Sequence, residues 1–243
     1  MIKLFKHQVD MVEVAKENTK GVFQSPTGTG KTFAQAGIVA EVLSRGKFSI
    51  TLVKTPRIGL SNQVATEYTK YITAVGLKFN SLLMHSGKGP ELEPDRNLSL
   101  EEQLKAFEMV DNLPNATTST QEMISQIERS KELNTPFVIF TTYHSNEKVY
   151  EALAAAGYDI NLDINDEAHY LVREDFSKLL DAPNTERQFF FTATLVVSES
   201  VDGRGMQNSD RFGEVIYELS IKDAIEEKMI LPIRPLRKIG RAV

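Results

Sequence analysis

The chain has 243 residues, a formal net charge of −5, 41% hydrophobic residues and no cysteine, a length that accommodates one large α/β domain or two small ones. The missing thiols exclude disulfides and thiolate zinc sites, and no apolar run approaches the roughly 18 residues of a membrane span. With no secretory pattern at the N-terminus, a cytoplasmic protein without a membrane partner is expected, in the host cytoplasm if the source is viral.

In chain order, Gly21–Gln24 is the first expected strand and Phe33–Leu43 the first expected helix. Between them lies Ser25-Pro26-Thr27-Gly28-Thr29-Gly30-Lys31-Thr32, a phosphate loop. Gly28 and Gly30 let backbone N–H groups converge on phosphate oxygens without side chains in the way. Lys31 can reach the β- and γ-phosphates, the Thr32 hydroxyl can ligate magnesium, and the helix N-terminus adds its dipole. Ser25 stands where the strict G-x-x-x-x-G-K-[ST] pattern has glycine. A strand at Ser49–Val53, a helix at about Gly59–Val75 and a strand at Phe79–Met84 follow. Residues 86–135 interrupt the alternation with polar, Pro- and Asn-containing sequence. Within them Ser99 and Glu102 fit a capping box for a helix to about Val110, and Thr120–Leu133 fits another, so the segment reads as a mostly helical surface insertion.

Beyond it come a strand at Phe137–Phe140, a helix at Val149–Ala156 and a strand at Ile160–Asn165. That last strand delivers Asp166-Glu167-Ala168-His169 to its end, where open α/β sheets place their ligands. Asp166 suits magnesium, and Glu167 suits orienting and deprotonating an attacking water. Asp163 and Asn165 break the near-continuous apolar run of a central parallel strand, and their side chains are expected to find partners or water. A strand at Gln188–Thr192, a loop at Glu199–Ser209, a strand at Glu214–Glu218 and a helix at Ile221–Glu227 complete the pattern. His7, His85, His144 and His169 lack metal-ligand spacing, and there are no internal repeats. The alternation predicts an α/β fold, a mostly parallel sheet with helices on both faces.

Ser-Pro-Thr-Gly-Thr-Gly-Lys-Thr together with Asp-Glu-Ala-His resembles the N-terminal RecA-like motor domain of superfamily-two DEAH-box helicases and translocases, in which serine at the first loop position is ordinary. Leu4-Phe5-Lys6-His7-Gln8 resembles the leading glutamine motif, which implies that Gln8 reads the adenine edge. Val53 to Leu60, with Pro56 and Arg57, is similar to motif Ia, and Thr141-Thr142-Tyr143-His144-Ser145 to a later threonine motif; both imply nucleic-acid contacts. Pro56 also suits a helix's first turn, whose N-terminus can grip a phosphate. Thr192-Ala193-Thr194 resembles motif III, which with His169 implies coupling between the nucleotide and nucleic-acid sites. Gly205 to Asn208, Phe212-Gly213 and Ile221 to Ile225 are similar to restriction-enzyme-type and phage helicase motors. The resemblance covers nearly the whole chain and is weak over about 86–135.

It implies a P-loop NTPase lobe over residues 1–235 that uses ATP and Mg2+. Its nucleotide contacts would come from Gln8, Ser25, Thr27, Gly28, Thr29, Gly30, Lys31 and Thr32. The partners implied are nucleic acid, DNA before RNA, and a second RecA-like domain bearing arginines, with residues 236–243 the start of a linker to it. The acidic net charge argues against a broad electrostatic platform for nucleic acid. The basic cluster Arg234, Arg237, Lys238 and Arg241 is interrupted by Pro235 and preceded by Pro232, and it reads as linker. Two other readings stand beside the helicase one: a nucleotide-dependent binding module without hydrolysis, and a small-molecule phosphotransferase. The motor subunit of a restriction enzyme is a variant of the leading reading.

Overall fold

The structure is a computed structural model, and it describes residues 3–89, 113–182, 184–199 and 203–232. One sheet organises them. Its strands are β1 (Lys20–Gln24), β2 (Ile50–Thr55), β3 (Asn80–Met84), β4 (Ala116–Thr117), β5 (Phe137–Thr142), β6 (Leu162–Asn165), β7 (Gln188–Thr192) and β8 (Val215–Glu218). They lie in the order β4-β3-β5-β2-β6-β7-β1-β8, and every pair is parallel.

Parallel strands need crossovers, and here most are helices that cover both faces. The helices α1 (Lys6–Glu17), α2 (Lys31–Leu43) and α3 (Ile58–Ala74) bury Met11, Ile38 and Val64 against one face, where Phe23, Val53 and Ile164 point. The other face carries Val22, Leu52 and Phe190; α4 (Thr120–Glu132) and α5 (Tyr143–Ala155) cover it with Met123, Ile127, Val149 and Leu153. Smaller pieces follow: a 3-10 turn Ala168–Val172, α6 (Glu174–Ser177), α7 (Ser209–Phe212) and α8 (Ile221–Glu226). None of the described helices is long and apolar enough to cross a membrane.

The predicted strands appear in place, and the differences have physical reasons. Helix α1 was absent from the predicted helices; its apolar stripe is thin, and Gln8 starts it by accepting the Phe5 N–H at 2.8 Å. Helix α5 begins at Tyr143 rather than Val149, because polar residues fill its first turn directly at the end of β5. The insertion reading is corrected for residues 113–135. Strand β4 extends the sheet beside β3, and Met123 and Ile127 of α4 are fully buried, so this stretch is a β–α unit of the sheet. Two residues of strand are too few to show alternation. The helix expected from Ser99 to about Val110 and the linker residues 236–243 lie outside the described residues.

Candidate nucleotide and nucleic-acid site

The motif residues gather at the C-terminal edge of the sheet. The phosphate loop leaves β1 with the Ser25 N–H bonded to the Thr192 carbonyl at 3.0 Å. Gly28 (φ 90°) and Gly30 (φ 78°) take left-handed conformations, and a Cβ on Gly30 would stand 2.5 Å from Gln8 Nε2. Thr29 Oγ1 donates to the Pro26 carbonyl at 2.8 Å and therefore accepts from Ser25 Oγ at 2.5 Å, which braces the loop from inside. Helix α1 holds it from outside: His7 Nε2 lies 2.7 Å from the Thr29 carbonyl and Gln8 Nε2 donates to Gly30 O at 3.1 Å. Lys31 Nζ donates to the Ser25 and Pro26 carbonyls at 3.1 and 3.4 Å. With these carbonyls engaged, the loop is shaped from both sides. The N–H groups of Lys31 and Thr32, in the first turn of α2, have no partner within the helix. Thr27 and Gly28 are exposed. Gln8 is 3% exposed, with its oxygen and nitrogen both bonded within the chain, so reading an adenine edge requires it to exchange one of these bonds.

Strand β6 ends at Asn165, and Asp166 follows with its N–H on the Lys54 carbonyl at 2.8 Å. Its own carbonyl accepts from the Tyr143 hydroxyl at 2.6 Å. The carboxylate accepts from Gln35 Nε2 at 2.8 Å, and Gln35 Oε1 in turn accepts from the Tyr68 hydroxyl at 3.0 Å. Burial pushes the Asp166 pKa up to about 6; the Gln35 hydrogen bond opposes this and the Glu167 charge adds to it. Burial also lowers the Lys31 pKa, against the pull of Glu167 and Asp166. Glu167 sits in the left-handed region at φ 49°, ψ 49°, a conformation that costs a non-glycine residue on the order of 1 kcal/mol or more. His169 Nδ1 lies 3.3 Å from Glu167 Oε2 and 3.3 Å from Thr192 Oγ1. Thr192 Oγ1 already donates to the Thr194 carbonyl at 2.8 Å, so both neighbours of Nδ1 call for its proton.

The raised Asp166 pKa fixes a sign. Protonated Asp166 is favoured in the folded chain, so its contribution to stability is full below the unfolded value near 3.8 and is lost as pH rises through about 6. Thermal melts of ligand-free chain should therefore show Asp166→Asn gaining on wild type between pH 4 and 7. An unchanged difference would contradict the burial of this carboxylate.

A cavity of 710 Å3 joins Thr27, Arg57, Glu167, His169 and Thr194, and a second of 280 Å3 joins Arg57, His85, Thr142, His144 and Ser145. Pro56 lines both, just before α3 begins. Thr141 is a correction: it is fully buried and its hydroxyl donates to the Met84 carbonyl at 2.9 Å, holding β5 to β3. A β-branched residue at that point of a strand serves packing, and Thr142 is the one that reaches a cavity. Thr141→Val is expected to lower stability by about 1 kcal/mol in thermal melts. Sequence reasoning missed His7, Gln35, Tyr68 and Tyr143 as supports of the loop and the acidic turn. Gln35 did leave a signal, as an amide four residues after Lys31 set between the apolar Phe33-Ala34 and Ala36-Gly37-Ile38.

A family model described as "Type III restriction enzyme, res subunit" matches residues 1–197. The chain belongs to this ResIII family. No curated protein matches it significantly. Among solved structures it is similar to a nuclease-deletion mutant of the Type ISP restriction-modification enzyme LlaGI in complex with a DNA substrate mimic. That match has 25% identity and a TM-score of 0.70 over 94% of this chain and 21% of that one. The ATP-dependent Type ISP enzyme LlaBIII bound to DNA matches at 24% identity and TM-score 0.69, over 93% of this chain and 16% of that one. The UvsW helicase from bacteriophage T4 matches at 16% and 0.54, over 88% and 60%. The chain thus spans about a fifth of the length of the LlaGI chain. The fold is RecA-like, as the resemblance implied, and in this ResIII chain the phosphate loop and the acidic turn flank the end of β7.

Proposed function

We propose that the chain is the ATP-binding lobe of a nucleic-acid translocase or helicase, acting on DNA, of the kind that drives restriction enzymes. One observation carries this reading: the phosphate loop and the Asp166–Glu167 turn stand at the ends of β1 and β6, on either side of β7, and His169 and Thr192 join the second to the strand between. Lys31 holds the β- and γ-phosphates. Thr32 and Asp166 would hold magnesium. The donor set fits this ion, because Asp166 is a buried carboxylate with a raised proton affinity. Among the described residues no cluster of three His, Cys, Asp or Glu would cage a metal alone, and magnesium is held by few protein oxygens beside phosphates and water. When bound, such an ion would supply positive charge against the negative charge that develops on the phosphate.

Glu167 takes the proton of the attacking water, and its left-handed backbone aims the carboxylate into the cavity shared with Arg57 and Thr194. His169, hydrogen-bonded to Thr192 and with Nδ1 3.3 Å from the Glu167 carboxylate, passes the state of that site to the Thr194 end of the cavity. Arg57, Pro56 and Thr142 face the nucleic acid. A second RecA-like lobe supplies the arginine that completes turnover, worth about 10³–10⁵ in rate. DNA is favoured over RNA because the LlaGI structure holds a DNA substrate mimic.

The test is nucleotide binding and hydrolysis with single-stranded DNA, duplex DNA and RNA. The chain alone should bind Mg-ATP and hydrolyse it slowly. Brisk, nucleic-acid-stimulated turnover by monomeric chain would overturn the half-site reading.

A further inference from the structure

The most polar spot inside the sheet has no part in the chemistry above. Lys54 of β2 and Asp163 of β6 both have fully buried side chains, with Nζ 2.8 Å from Oδ2. The same carboxylate oxygen accepts from the Tyr150 hydroxyl at 2.8 Å and from Gln188 Nε2 at 3.1 Å. Lys54 Nζ also donates to the Tyr150 hydroxyl. The Lys54 carbonyl, for its part, accepts the Asp166 N–H at 2.8 Å. One residue therefore grips β6 twice, by its side chain at Asp163 and by its backbone at Asp166. Pro56 stands directly after the end of β2, two residues beyond Lys54, and Arg57 follows it.

Taking two ions out of water is costly, and a well-packed apolar pair often serves stability as well or better. Register is the better-attested use of such a pair. A slip of β2 against β6 by two residues keeps every apolar side chain on its own face, since the side-chain period is two. It would carry Arg57 about 6.6 Å relative to Glu167. Apolar alternation does not penalise that slip; separating Lys54 from Asp163 does.

We infer that Lys54 and Asp163 are positioning residues that lock β2 to β6, so that Arg57 and the Asp166–Glu167 turn move as one body and nucleotide binding is coupled to DNA binding. This rests on the function proposed above. The experiment measures the affinity of the chain for a single-stranded DNA oligonucleotide with and without the magnesium complex of a non-hydrolysable ATP analogue, alongside thermal melting. Wild type should show a coupling factor of about 5 or more. The Lys54→Met/Asp163→Leu double variant should melt no lower and bind each ligand alone about as wild type does, with its coupling factor reduced to about 1. Should that variant not fold, Tyr150→Phe and Gln188→Leu each remove one donor to Asp163 while keeping both charges, and each should lower the factor. Coupling preserved in these variants, or absent in wild type, overturns the inference. Failure of wild type to bind the analogue overturns the function proposed above instead.

Discussion

Glu167→Gln should cut ATP turnover by about 10²–10⁴-fold, the range of a positioned general base, while nucleotide stays bound. Glutamine keeps the size of the side chain and its place beside His169 Nδ1, 3.3 Å from the native carboxylate, but it cannot accept a proton from water. The left-handed backbone at this position is unaffected by the exchange, so the fold should hold. Lys31→Ala should do the opposite and remove binding. Its ammonium sits on the Ser25 and Pro26 carbonyls, and charge-assisted hydrogen bonds to phosphate are worth about 1.5–3 kcal/mol each, roughly tenfold or more in affinity. Single-turnover hydrolysis in the presence of a second motor lobe, paired with calorimetric titration of the chain, separates the two effects. A Glu167→Gln protein that turns over normally would move the base elsewhere.

Lys54→Met alone should destabilise the chain by about 3–5 kcal/mol, because it strands a buried carboxylate. For a domain of this size that is a fall in melting temperature of roughly 6–20 °C. Burial already lowers the Lys54 pKa, with Asp163 opposing the shift, so the ammonium depends on its partner as much as the carboxylate does. Asp163→Leu alone should therefore cost a similar amount, and the two losses should not add in the double variant. Differential scanning calorimetry of the four proteins measures the interaction directly; additive losses would mean that the two charges do not sense each other.

Most of the candidate nucleotide site is local in sequence, which is why its two motifs could be read without a structure. Ser25 to Thr32 is one turn, following a strand centred on Val22-Phe23, and Asp166 to His169 is another, following a strand in which Leu162 and Ile164 alternate with Asp163 and Asn165. Thr141 and Thr142 show the limit. They are adjacent and chemically identical, and only the pairing of β5 with β3 decides that the first hydroxyl is spent on Met84. Asp163 and Asn165 were recognised as misfits of a central strand, but their partners are distant in the chain: Lys54 and Gln188 for Asp163, the Phe189 carbonyl for Asn165. Residues 113–135 were misjudged because a two-residue strand carries no period. The supports of the acidic turn, Gln35, Tyr68 and Tyr143, come from three helices, and nothing local marks them as neighbours of Asp166.

The sheet order also governs when this protein can fold during synthesis. β1 has only β7 and β8 beside it, with Lys20 facing Gln188 and Gln24 facing both Thr192 and Glu218. The strand that launches the phosphate loop is made before both of its neighbours, and at roughly 5–20 residues per second it waits on the order of ten seconds for them to emerge. Until then its apolar run Val22-Phe23 has two open edges. A ribosome-bound chain stopped before Gln188 should hold β2, β3, β5 and β6 together and leave β1 accessible to chaperones, with ATP binding appearing only once β7 and β8 have been added.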